Sequence, residues 1–168
     1  VAANGDISAT TDGLAIQVYH YQSTGNPVTY YESVTIDTIT GADAAHPYVV
    51  EVAPVSKGKV TVSTIPIASE IPFLILGGWI RIRGFIVNAD SIGIYLYGDD
   101  ADDNEITGNT ITQWGATYAA ITLAGDAANS RPERNIIANN QIYTVTGGQC
   151  GIHLYKPAAN RDPRDNYI

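Results

Sequence analysis

The sequence has no methionine, a single cysteine and no long apolar run. A membrane-spanning helix needs about 18 consecutive apolar residues. The longest runs here, such as the one at 72–76, are no longer than one strand, so membrane insertion is not expected. Cys150 has no second cysteine to pair with. It reads as a small core residue, and cysteine usage does not fix the redox compartment. Positive charge is also scarce. Nine Lys and Arg are scattered among 17 Asp and Glu, for a net charge of −8. Phosphate contact needs local positive charge, so nucleic acid is not an expected partner. The chain starts at Val1 without a signal-peptide pattern, which reads as a processed or excised chain.

What is present points to a folded β protein. Hydrophobic residues make up 45% of the 168 and charged residues 15%, enough for one domain with a continuous core. Sixteen Gly and eight Pro, together with many Asn, Asp and Thr, predict frequent turns.

Laying residues 104–134 over 135–165 without gaps gives ten identities in 31 positions. They are Asn104/Asn135, Ile106/Ile137, Asn109/Asn140, Ile111/Ile142, Ile121/Ile152, Leu123/Leu154, Ala127/Ala158, Ala128/Ala159, Asn129/Asn160 and Pro132/Pro163. A third copy starts with Asn166 and Ile168. Chance does not produce that register. Apolar residues fall in short alternating groups, the period of strands. Ile106 and Ile111 lie on two short strands parted by Gly108–Asn109, and Ile121 and Leu123 on a third after a glycine-containing loop. Three strands per repeat describe one coil of a parallel β-helix, with equivalent residues about 4.8 Å apart in successive coils.

Two aliphatic ladders, Ile121 over Ile152 and Leu123 over Leu154, are therefore expected inside. Two asparagine ladders, Asn104–Asn135–Asn166 and Asn109–Asn140, are expected at corners. Asparagine suits a corner because it tolerates left-handed backbone and its amide can bond to the amide above or below. Residues 79–87 and 92–98 read as a shorter preceding coil, with Ile94 and Leu96 ahead of Ile121 and Leu123. Strands at 47–54, 59–63 and 72–76 read as the coil before, and 15–21 with 30–39 as the first. The expectation is a single all-β domain over 1–168, irregular over 1–78 and regular over 79–168. About six coils would form a rod roughly 30 Å long.

With its stretches YYESVTI, HPYVVEVAP, KVTV and ILGGWIRIRGFIV, followed by the NxI and GIxL repeats, the chain resembles the pectate-lyase-like superfamily of right-handed single-stranded parallel β-helices. The resemblance covers most of the chain and implies an extracellular or cell-surface protein of bacterial type. It implies no single activity: the superfamily holds polysaccharide lyases, uronan epimerases, glycosidases, phage tailspikes, adhesins and structural rods. The Lys and Arg motifs of the chondroitinase- and alginate-lyase-like members have no match here, nor does the tyrosine–histidine signature of alginate epimerases. Arg81 and Arg83 alternate on a strand, which places both outside as ion-pair partners.

If Ile94, Leu96, Ile152 and Leu154 point inward, then Tyr95, Tyr97, His153 and Tyr155 point outward on one face, with Thr122 and Ala124 between. Aromatic faces with polar handles suit sugar rings, so these four are the candidate carbohydrate-binding residues. The acidic loop carries Asp99, Asp100, Asp102 and Asp103, a candidate site for a hard cation such as calcium. No cofactor is required. The charged loops below it, with Arg131, Glu133 and Arg134 and then Arg161, Asp162, Arg164 and Asp165, suggest ion pairs between coils. His20 and His46 have no partners at metal-ligand or triad spacing, and no catalytic residue is identified.

Asn166-Tyr167-Ile168 starts a further repeat within its first strand. Solenoids need polar capping units at their ends, and none is evident. The expected partners are further coils of the same protein, or other copies, added at open ends, together with a polysaccharide. These features lead to a non-catalytic structural or adhesive segment of an extracellular rod, fibre or appendage. The alternatives are a polysaccharide-active lyase, hydrolase or epimerase and a phage tailspike-like receptor-binding segment.

Overall fold

A computed structural model of the chain describes residues 14–19, 26–65, 70–115, 118–125, 131–145, 150–155 and 163–168. The expected architecture is present. Fifteen short strands form three parallel sheets of five, and each strand pairs with the strands three places before and after it in the chain. Among the described residues there is no α-helix.

The first coil contains β1 (Leu14–Val18), β2 (Val28–Tyr31) and β3 (Val34–Ile36); the second contains β4 (Tyr48–Val52), β5 (Val60–Ser63) and β6 (Phe73–Ile75). The third contains β7 (Ile80–Arg83), β8 (Ile86–Ala89) and β9 (Ile94–Tyr97). The fourth contains β10 (Glu105–Thr107), β11 (Thr110–Gln113) and β12 (Ile121–Ala124). The fifth contains β13 (Ile136–Ala138), β14 (Gln141–Thr144) and β15 (Ile152–Tyr155). Sheet A takes the first strand of each coil, sheet B the second and sheet C the third.

Where six coils were expected, the described residues form five and the start of another, with Arg164 bridged to Glu133 and Tyr167 to Ile136. Residues 30–39, expected as one strand, divide into the end of β2 and β3. The segment expected at 15–21 is strand only to Val18; His20 and Tyr21 lie outside the described residues. So do the repeat pairs Ala127/Ala158, Ala128/Ala159 and Asn129/Asn160, and Arg161 and Asp162.

Side-chain alternation sends one apolar column of each strand inward. Sheet A contributes Ile16, Val50, Ile82, Ile106 and Ile137 in register. Sheet B contributes Tyr30, Val62, Val87, Ile111 and Ile142. Sheet C contributes two columns, Val34–Phe73–Ile94–Ile121–Ile152 and Ile36–Ile75–Leu96–Leu123–Leu154. Phe73 and Phe85 add a tilted ring contact at 5.2 Å. Each Ile or Leu buried in these columns contributes about 1.5–3 kcal/mol. Leu154 keeps the ladder register but is 43% exposed, because no described strand pairs with the outer edge of β15.

The asparagine ladders are present, with a different bonding pattern from the one expected. Asn104 accepts the Ile80 N–H at Oδ1 (2.8 Å) and donates from Nδ2 to the Gly77 carbonyl (3.1 Å). Asn135 does the same to the Asn104 N–H (2.9 Å) and Ala101 carbonyl (3.0 Å), and Asn166 to the Asn135 N–H (2.8 Å) and Pro132 carbonyl (3.1 Å). In the second ladder Asn109 bonds the Phe85 N–H and Ile82 carbonyl, both at 3.0 Å. Asn140 bonds the Asn109 N–H (3.0 Å) and the Ile106 carbonyl (2.8 Å). Only Asn109 and Asn140 share an amide-to-amide bond, at 3.2 Å.

Each rung thus ties a side chain to the backbone of the coil before it. The physical reason is that a corner interrupts the ladder hydrogen bonds of the sheets, leaving backbone groups that need partners. Left-handed backbone also falls one residue ahead of the asparagines: on Asp103, Arg134 and Asp165 at one corner, and on Gly108 and Asn139 at the other. Trp79 and Gly84 hold the matching positions in the third coil.

Candidate functional site

The outer face of sheet C is built by simple alternation. With Ile94 and Leu96 inward, β9 turns Tyr95 and Tyr97 outward; with Ile152 and Leu154 inward, β15 turns His153 and Tyr155 outward. Register places Tyr95, Thr122 and His153 in one row, and Tyr97, Ala124 and Tyr155 in a second. The two aromatic pairs are two coil steps apart, about 10 Å. Within each pair the rings touch: Tyr95 and Tyr97 at 5.2 Å between centroids, His153 and Tyr155 at 5.5 Å.

Between the pairs, Thr122 is only 5% exposed and Ala124 is fully buried, although both face outward. The larger side chains on either side shield them. The Thr122 hydroxyl has no hydrogen-bond partner among the described residues. The face is thus two aromatic ridges flanking a small-residue floor that carries one unsatisfied hydroxyl. Burial pushes the Tyr95 phenol up to about 12, with smaller contributions from Tyr97, Tyr155 and Tyr118. Tyr118 therefore belongs to the same face. It sits in the loop before β12, where strand register does not apply, so the repeat offers no signal for it.

This environment has a pH consequence. Tyr95 is raised above the usual tyrosine value of 10, so the unfolded chain loses that proton first as pH rises. The stability linked to Tyr95 is fully present below pH 10 and lost towards pH 12. Burial raises the Tyr48 phenol as well, so phenolate absorbance should show late-titrating tyrosines, and Tyr95→Phe should remove one of them. Midpoints of denaturation for the variant should fall less steeply between pH 10 and 12 than those of the parent.

The acidic loop is engaged with the coil below it. Arg134 donates to both oxygens of Asp103, at 2.8 and 2.7 Å, and to Asp102 at 3.1 Å. The Glu133 N–H also donates to Asp102, at 2.6 Å. Desolvation raises the Asp102 carboxyl against these bonds, while bonding to Asp103 raises Arg134 above its already high ordinary value. A cation would compete with this guanidinium for Asp102 and Asp103. Asp99 and Asp100 are exposed on the same loop. No group of three or more His, Cys, Asp or Glu among the described residues is placed to hold a metal ion.

Arg81 and Arg83 lie on the outer face of β7 and share Glu105, at 3.3 and 2.9 Å. His46, read as having no partner at metal-ligand or triad spacing, has Asp43 at 2.9 Å from its Nδ1. The backbone N–H of His46 lowers the Asp43 carboxyl, so the pair holds a turn. Two side chains alone make neither a metal site nor a triad, and among the described residues no third ligand joins them.

No family model matches the chain, and neither does any curated protein or solved structure.

Proposed function

We propose that this chain is a non-catalytic, glycan-binding β-helix segment of an extracellular rod or surface appendage, of the pectate-lyase-like type. The observation that carries this reading is the outer face of sheet C, where two aromatic pairs flank the shielded Thr122 and Ala124. Aromatic rings pack against the apolar faces of sugars, and the tyrosine hydroxyls and the His153 ring offer polar contacts to sugar hydroxyls. The parallel sheets support the rod role, because every coil presents the next with an unpaired strand edge. Exposed apolar side chains of the inward columns at the outer coils, Ile16 and Leu154, mark where a further coil would pack.

Affinity electrophoresis through gels containing uronic-acid polysaccharides tests the reading. At least one polymer is expected to retard the chain, and the double variant Tyr97→Ala/Tyr155→Ala should migrate freely while keeping its β-sheet circular dichroism. Equal retardation of the variant would remove sheet C from the reading. The same polymers, followed by ultraviolet absorbance for unsaturated ends, should give no signal. A rise in absorbance would replace the binding role with the lyase alternative.

A further inference from the structure

We propose a second, independent binding groove on the outer face of sheet B, one that takes a neutral oligosaccharide. Register aligns Tyr31, Ser63 and Asn88 in one outward column across the first three coils. A surface cavity of about 290 Å³ runs over this column and is lined by Thr29, Tyr31, Ser63, Ile65, Asn88 and Trp114. That volume is near the lower bound of roughly 300 Å³ for small-molecule sites.

The walls are aromatic and the floor is polar. Tyr31, on β2, is 75% exposed, and Trp114, directly after β11, is 44% exposed. They belong to the first and fourth coils, three steps or about 14 Å apart along the helix axis. The Trp114 N–H is anchored to the Ala89 carbonyl at 2.8 Å, which fixes the backbone from which the indole reaches the groove. Ser63 is only 3% exposed. Its Oγ accepts the Ile65 N–H at 3.2 Å, leaving the hydroxyl hydrogen free to donate. Thr29 adds a hydroxyl, and Asn88 adds an amide with both donors and an acceptor.

The chemistry selects the ligand. Rings at both ends match the C–H faces of sugars at the two ends of a short chain, and hydroxyls with an amide between them match sugar hydroxyls. None of the six lining side chains is charged. A uronate or phosphate would find no cation among them, whereas a neutral sugar chain leaves no charge unpaired. The length along the axis favours an oligosaccharide over a single sugar. This inference uses no residue of sheet C and stands apart from the function proposed for that face.

Isothermal calorimetry with xylan-, cellulose-, starch- and chitin-derived oligosaccharides tests it. One of the series should bind saturably. Tyr31→Ala and Trp114→Ala should each weaken binding about tenfold, Trp114→Phe should retain most of it, and Tyr97→Ala/Tyr155→Ala should leave it unchanged. Circular dichroism on each variant separates a lost contact from a lost fold. Three results would overturn the proposal: no saturable heat with any oligosaccharide, unchanged affinity in folded Tyr31→Ala and Trp114→Ala, or loss of affinity in the sheet C variant alone.

Discussion

Asn104→Ala is expected to lower stability by about 3 kcal/mol, far more than its short side chain suggests. The residue is 1% exposed, and both ends of its amide are used. Oδ1 accepts the Ile80 N–H and Nδ2 donates to the Gly77 carbonyl, so alanine leaves two buried backbone groups without partners. Each such group costs about 1–3 kcal/mol, and the missing amide leaves a small cavity as well. Asn104→Asp separates the two terms. It keeps an acceptor for Ile80 but sets an oxygen against the Gly77 carbonyl, and it should be destabilised at least as much as the alanine variant at neutral pH. Asn140→Ala, only half-buried in the fifth coil, should cost less. Urea midpoints rank the three. Because a solenoid couples mainly nearest neighbours, hydrogen exchange in Asn104→Ala should quicken first between the third and fourth coils. Uniform loss of protection along the whole rod would argue against rung-by-rung coupling.

The same ladder shows which parts of the fold are legible in the sequence. The 31-residue period is visible because the fourth and fifth coils have matching loops, so Asn104, Asn135 and Asn166 recur in step. In the third coil the step shortens to 24, from Ile80 to Asn104. The loop between β8 and β9 is shorter than the one between β11 and β12, and the one between β9 and β10 is shorter than its successor. Loop length costs little free energy, so the ladders survive while the sequence period does not. The break between β2 and β3 was not legible because Glu32–Ser33 carries neither Gly nor Pro. The left-handed corner positions escaped for a related reason: Trp79, Asp103, Arg134 and Asp165 put three side-chain types in four equivalent places. For the candidate sites, alternation placed Tyr95, Tyr97, His153 and Tyr155 because they lie on strands. Tyr118 and Trp114 lie in loops, and Tyr31 reaches Trp114 only across three coils, so no local pattern connects them.

Gly115→Ala is the second large effect, expected to cost at least about 3 kcal/mol, the upper end of ordinary overpacking. A β-carbon on Gly115 would overlap the Asp90 carbonyl oxygen and sit 3.0 Å from its carbon. Both are backbone atoms, so no rotamer change relieves the clash, and the turn after β11 must lift away from the turn after β8. That movement reaches the core. Gln113 is fully buried, donates from Nε2 to the Gly115 carbonyl and has no partner for Oε1 among the described residues; lifting the turn leaves its amide without those partners. Gly98→Ala is the control, since Gly98 has φ near +98° and nothing within 4 Å of an added β-carbon. It should cost only the backbone strain, about 1 kcal/mol. The two variants also separate stability from site geometry. Trp114 is anchored next to Gly115 through the Ala89 carbonyl, so Gly115→Ala should lose oligosaccharide binding at temperatures where it is still folded. Gly98→Ala should bind like the parent. Parent-like binding by folded Gly115→Ala would mean that the turn absorbs the methyl without moving Trp114, and that the contact with Asp90 does not hold the groove wall in place.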